Sequence, residues 1–287
     1  MKKARFRLDF EVTYFAISNT VEVALFDGSQ IAFCKSKGTN HGTLSFEIDQ
    51  PNESLARREG QRKVEEFFTY LLVAKANFEN IKPIGFPRKP ALLNREDFKG
   101  VPIGGYKELK ADAVLVARLD QQELDTTSGL IAKINEFPRE KKDVVSRSLG
   151  WFRKAAETAG EDRFIFRWIS FEALTGLVEN GRFSTLLDRY LVTPVARDIL
   201  DKHKETVQKL AQANLIGWRG AKRSQKLKEL LERASSDPKA VLIRAGLCIS
   251  EVRNNLFHKG EALELVKGSS SLLRDTIREC LKLCVQR

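Results

Sequence analysis

The sequence has no long hydrophobic run. A membrane-spanning helix needs roughly 18 or more consecutive apolar residues. The longest candidate, FFTYLLVAKANF, is shorter than that and is flanked by charge. The opening, MKKARFRLDFEVTYF, is basic, but Arg5, Arg7, Asp9 and Glu11 break up the apolar stretch that a secretory leader requires. Cysteine is scarce. Cys34, Cys248, Cys280 and Cys284 show neither disulfide-framework spacing nor a Cys-x-x-Cys pair. Cys280 and Cys284 lie four apart on one helix face, yet a zinc site needs four converging ligands, and no histidine or cysteine pair completes the set. The expectation is a soluble cytoplasmic protein without membrane contact, with buried free thiols and neither metal nor cofactor.

What is present suits a packed globular chain. The 287 residues are 42% hydrophobic and 9% aromatic, enough for a core and long enough for about two domains. The net charge is +11. From Glu140 onward there are 28 Lys+Arg against 19 Asp+Glu, a balance of +9, whereas the first 139 residues carry 21 and 19. A basic half-chain points to a polyanionic partner, nucleic acid first.

The first fifty residues alternate with period two in RFRLDFEVTYF, VEVALFDGSQIAFCKS and TLSFEID, the pattern of strands. Asp27-Gly28 is a hairpin turn signal, and His41-Gly42 suggests a second turn. The segment from Ser54, a candidate N-cap, then turns helical, with Val64, Phe67, Phe68, Leu71 and Leu72 on one face. Residues 81–105 carry Pro83, Pro87, Pro90 and Pro102 and read as an irregular loop. ADAVLVARL reads as a strand returning to the sheet, and residues 120–140 as a polar connector.

Beyond residue 140 the strand pattern stops and helical segments follow to the end. One of them, PKAVLIRAGLCISEVRNNLFH, starts at Ser235-Ser236-Asp237-Pro238 and ends before Gly260, which puts His258 in its last turn. The fold class is therefore α+β: a β-rich domain over 1–139, a candidate sensor or regulator, and an all-α bundle over 140–287.

The end of that helix carries chemistry. Ser250, Asn254 and His258 recur every four residues, and Arg253 lies about 140° round the helix from His258. A histidine titrates near neutrality and can take the proton from an RNA 2′-hydroxyl or give one to the leaving 5′ oxygen. An arginine fork matches the charge of the phosphoryl transition state. Asn254 is placed to orient His258 or to bind a phosphate oxygen, and no metal is required. The bland readings are a helix-capping His258 and an Arg253 paired structurally with a bundle carboxylate such as Glu172.

In the form RNNLFHKG, this segment resembles the HEPN superfamily, in particular its Apea-like and related prokaryotic branches, whose helical domains carry an arginine, four to six residues, then a histidine. FRWISFEALTGL upstream resembles the aromatic-rich helix with a glutamate that precedes the motif helix in those branches, and Glu172 is the matching residue. The resemblance covers roughly residues 140–287. It implies a helical bundle, a face-to-face homodimer and metal-independent ribonuclease activity. Arg253, Asn254 and His258, with Glu172 in support, are the implied catalytic residues. Such members belong to phage defence, abortive infection or toxin systems, which implies an antitoxin or trigger protein as a further partner. Silent members of the superfamily suggest the rival class, a non-catalytic module that binds RNA, nucleotide or a partner protein.

A second run, WRGAKRSQKLK, has five positive charges and no acidic one. Trp218 can stack on a base while Arg219, Lys222, Arg223, Lys226 and Lys228 meet phosphates. The competing reading is a solvated face. Asp97 with Glu108-Leu109-Lys110 only faintly matches a metal-dependent nuclease pattern, and Gly104-Gly105 lacks the rest of a phosphate loop.

Overall fold

The computed structural model describes residues 4–12, 15–17, 20–36, 39–49, 52–74, 83–84, 91–92, 117–217, 220–233, 236–259 and 263–286. The chain divides into two compact units, Met1–Glu136 and Phe137–Arg287. The architecture is α+β: an antiparallel sheet at the N-terminus and a helical region after it. Asp97, Gly104, Gly105 and Glu108 lie outside the described residues.

In the first unit, β1 (Ala4–Val12), β3 (Val21–Ala24), β4 (Gln30–Ser36) and β5 (Thr39–Ile48) form the main sheet in the order β3-β4-β5-β1. The period-two residues Phe6, Leu8, Phe10 and Val12 all face inward, at 3% exposure or less. Asp27-Gly28 does turn the β3–β4 hairpin, with Gly28 at φ +78°. His41-Gly42 does not turn. It lies inside β5, paired with Cys34 on one side and Glu11 on the other for His41, and with Phe33 and Phe10 for Gly42. The glycine is there for packing: a Cβ would sit 2.2 Å from Phe10 Cε2.

Helix α1 (Glu53–Ala74) lies on the inward face of the sheet. Gly60 lets it approach, since a Cβ there would stand 2.9 Å from Phe46 Cζ. Its N-cap is Asn52, whose Oδ1 accepts from the backbone N–H of Ser54 and Leu55 at 2.9 and 3.1 Å; Ser54 is already inside the helix. Four phenylalanines, Phe10, Phe33, Phe67 and Phe68, meet edge-to-face or tilted at about 6 Å between centroids.

Residues 120–140 are not a connector. They contain α2 (Gln121–Asn135), opened by a capping box in which Asp120 accepts from Glu123 N–H and Glu123 accepts from Asp120 N–H. The helix guards the edge of the sheet. Gln121 Nε2 donates to the Glu22 carbonyl and Ser128 Oγ to the Ala24 carbonyl, both at 2.7 Å, which satisfies groups of β3 that a further strand would otherwise pair. The proline-rich segment contributes β6 (Pro83–Ile84) and β7 (Ala91–Leu92), short pairings on β1. The strand read in ADAVLVARL is seen as β8 (Ala117–Leu119). It pairs in parallel with β2 (Phe15–Ile17) in a separate two-stranded sheet rather than rejoining the main one.

The second unit comprises α3 (Arg139–Ala156), α4 (Gly160–Leu174), α5 (Phe183–Tyr190), α6 (Thr193–Lys202), α7 (Lys204–Gln212), α8 (Arg223–Leu231), α9 (Pro238–Lys259) and α10 (Leu263–Gln286). A small ribbon of β9 (Ile216–Gly217) and β10 (Ala221–Lys222) precedes α8. Small residues bring α3 and α4 together: Ser148 Oγ donates to the Ser170 carbonyl at 2.9 Å and Ser170 Oγ to the Ser148 carbonyl at 2.8 Å. Helix α10 is buried on most of its surface, as a central helix should be. It places Asp275 inside the bundle against His203 Nε2 (2.9 Å), Lys202 Nζ (2.6 Å) and Arg274 Nε (2.7 Å), with Arg278 at 3.6 Å. All four cysteines are free, and three of them are buried. Burial pushes the Cys248 thiol up to about 12 and the Cys284 thiol up to about 11. Among the described residues no helix is long and apolar enough to cross a membrane.

Candidate active site

Helix α9 starts where the sequence indicates. Pro238 is its first residue, and Asp237 caps it through Oδ1 to the Lys239 N–H at 3.1 Å. Val241, Leu242, Ala245, Cys248, Ile249, Val252 and Leu256 form its buried face. The spacing that buries Val252 and Leu256 turns Phe257 and His258 outward, with Arg253, Asn254 and Asn255 half-buried between. The polar end of α9 is thus the part that emerges from the core.

Arg253 is fixed from α4. Its Nη2 donates to Glu172 Oε1 at 3.1 Å, and its Cζ lies 5.4 Å from the centroid of the Trp168 ring, in cation–π range. Trp168 and Glu172 are four residues apart on one face of α4 and together bracket the guanidinium. The Nε of Arg253 is buried and donates to no acceptor among the described residues. The structure thus joins two of the residues read from the sequence, in the pairing that the structural reading of Arg253 also expects.

Asn254 is held by a residue the sequence reading did not assign. Its Nδ2 donates to Glu251 Oε2 at 3.1 Å. Glu251 is buried at 7% exposure, and its Oε1 faces Arg223 Nε at 3.6 Å. Gly217 lies against this pair, where a Cβ would stand 2.5 Å from Arg223 Nε and 2.8 Å from Glu251 Oε1. Arg223, within the basic segment and at the start of α8, is therefore tied to the motif helix through Glu251. The signal was present: Glu251 precedes Asn254 by three, a helical neighbour.

Of the remaining basic residues, Lys222, Lys226 and Lys228 are exposed, and Lys228 lies 3.9 Å from Glu232. Trp218, Arg219 and Gly260 lie outside the described residues. His258 is exposed in the last turn of α9, about 7.5 Å along the axis from Arg253 by ideal helix rise. Among the described residues no hydrogen bond or ion pair joins His258 to Arg253, Asn254 or Glu172, so within one chain the two halves of the motif stand apart. No group of three or more His, Cys, Asp or Glu side chains among the described residues is arranged to hold a metal ion.

Chemically, the arrangement offers an imidazole open to solvent, a guanidinium anchored by a carboxylate and an indole, and exposed lysines on a segment linked to the same helix. Comparison with protein-family models, with curated proteins and with solved structures gives no match for this chain.

Proposed function

We propose that the chain is a metal-independent endoribonuclease of HEPN type, acting as a homodimer in the cytoplasm as a phage-defence or toxin effector. The observation that carries this reading is the anchoring of Arg253 by Glu172 and Trp168 on the helix that ends in an exposed His258. A guanidinium has five N–H donors, and Glu172 uses one of them in its 3.1 Å contact, so donors remain for a phosphoryl oxygen.

In the reaction, one His258 takes the proton of the 2′-hydroxyl as its oxygen attacks the adjacent phosphorus. The P–O bond to the 5′ oxygen breaks, and that oxygen takes a proton from a second imidazole. The products are a 2′,3′-cyclic phosphate and a 5′-hydroxyl. Arg253 offsets the negative charge that builds on the phosphoryl oxygens, and Asn254, held by Glu251, lines the same stretch of helix. Because one His258 serves as base and another as acid, the site draws on two copies of the chain. Phe257, beside His258 and 56% exposed, is an apolar group suited to that contact. Exposed Lys222, Lys226 and Lys228 supply phosphate contacts, and the free thiols fit a reducing compartment.

The test is incubation of total RNA and a defined tRNA pool with the full chain in EDTA. Wild type should cleave, and His258→Ala should lose about 100-fold or more of the rate, the range of general acid–base catalysis. Equal cleavage by both proteins removes His258 from the mechanism.

A further inference from the structure

Glu251 is out of character with its surroundings. It is 7% exposed, on the same stretch of α9 as buried Cys248, Val252 and Leu256. A glutamate is almost never that buried unless it is paired. Its two oxygens have separate partners. Oε2 accepts from Asn254 Nδ2 at 3.1 Å, and Oε1 faces Arg223 Nε at 3.6 Å. Arg223 opens α8, so the carboxylate is held from a second helix. Gly217 closes a third side, since a Cβ there would stand 2.5 Å from Arg223 Nε and 2.8 Å from Glu251 Oε1. Apolar side chains of similar volume often replace a buried ion pair with no loss of stability, so stability alone is a weak reason for this one.

What the pair does fix is the Asn254 amide. An amide turned end for end exchanges its donor and its acceptor in place. A carboxylate that faces an arginine only accepts, so it selects the orientation that turns Nδ2 toward Glu251 and leaves Oδ1 as an acceptor. Among the described residues no donor occupies Oδ1. Asn254 is half-buried, next in sequence to the anchored Arg253 and about one helical turn before the exposed His258.

We propose that Glu251 is a positioning residue of the site: it holds Asn254 with Oδ1 presented as the acceptor, while Arg223 and Gly217 hold Glu251. The consequence for cleavage rests on the ribonuclease reading; the held amide does not. In that reaction Oδ1 receives an N–H or O–H donor beside the phosphoryl group that Arg253 neutralises. Glu251 itself touches neither the RNA nor the reacting atoms. Arg223 is then the clamp of Glu251 rather than a phosphate contact.

Two readouts on the full chain test it. In the NMR spectrum of protein carrying isotope-labelled asparagine, the Asn254 side-chain signals are those missing from Asn254→Ala. In wild type one of the two Nδ2 protons should lie downfield of free amides and exchange slowly with water. A glutamine at position 251 donates as well as accepts, so Glu251→Gln should move that signal toward the free-amide position. Gly217→Ala displaces the pair without removing a polar group and should do the same. The second readout is RNA cleavage in EDTA. Both variants should lower kcat about 10-fold or more with KM little changed, the mark of a displaced group. Glu251→Gln added to Asn254→Ala should cost no more than about 2-fold further, because residues that act through one contact are not additive. An Asn254 signal unchanged by Glu251→Gln, or losses that multiply in the double variant, overturns the proposal. Wild type that cuts no RNA sinks the ribonuclease, and the amide signal then decides on Glu251 by itself.

Discussion

Asp275 offers the sharpest test of how the helical unit is held together. The carboxylate is 4% exposed and receives His203, Lys202 and Arg274 within 2.9 Å, while the equally buried Arg278 stands 3.6 Å away. Burial alone pushes its pKa up, but hydrogen bonds from His203, Arg274 and Lys202, with the charge of Arg274, outweigh burial and hold the carboxyl well below the usual carboxylate range. Asp275→Ala leaves Arg278 and His203 buried without their anion. Breaking a buried ion pair from one side costs about 3–5 kcal/mol. The pH dependence follows from the sign of the shift. A carboxylate depressed in the folded state stabilises fully above its unfolded pKa of about 3.9, and the contribution falls as pH drops below that by at most about 1.4 kcal/mol per unit. Urea titration followed by tryptophan fluorescence is the assay, because Trp151, Trp168 and Trp218 all belong to the second unit. Wild type should lose stability between about pH 5 and pH 2, and Asp275→Ala should be weaker at pH 7 by the stated amount with a flatter profile over that window. A variant as stable as wild type at pH 7, or one with the same acid slope, would remove Asp275 from the forces that hold the bundle.

Gly42→Ala places a methyl 2.2 Å from the Phe10 ring and should cost the first unit about 1–3 kcal/mol, read from its denaturant transition by circular dichroism; Gly28→Ala, at a turn with open space, should act through its φ of +78° alone. Thiol titration of native protein at pH 8 should modify half-buried Cys34 first and leave Cys248, Cys280 and Cys284 until unfolding, since burial raises all three thiols. Replacing Lys222, Lys226 and Lys228 by alanine should lower the slope of log affinity against log salt for single-stranded RNA by up to about 0.7 for each phosphate no longer neutralised; an unchanged slope makes the segment a solvated face.

Much of the fold is legible where local signals and tertiary demands agree. The alternation in β1 and the Asp27-Gly28 turn both stand, as does the Asp237-Pro238 start of α9. The misreadings have identifiable causes. His41-Gly42 looks like a turn because a glycine usually marks one, but here it makes room for Phe10, a residue distant in sequence. Helix α2 is obscured by Gln121, Gln122, Asp125, Thr126 and Gly129, although Asp120 and Glu123 spell its capping box and Leu124, Leu130, Ile131 and Ile134 its buried face. Asn52 and Ser54 are competing caps, and sequence alone does not rank them. In the candidate site, residues on α9 are readable from helical spacing. The Arg253–Glu172 contact spans 81 positions, so no local spacing encodes it. The Glu251–Arg223 link depends on how α8 packs on α9, which no local pattern encodes.

Everything proposed for the site turns on a 2′-hydroxyl mechanism run by His258 without metal. End-group analysis of RNA cut in EDTA is the decisive experiment. The mechanism requires 2′,3′-cyclic phosphate and 5′-hydroxyl termini from wild type and none from His258→Ala. Fragments ending in 3′-hydroxyl and 5′-phosphate, or cyclic termini produced equally by both proteins, would rule it out.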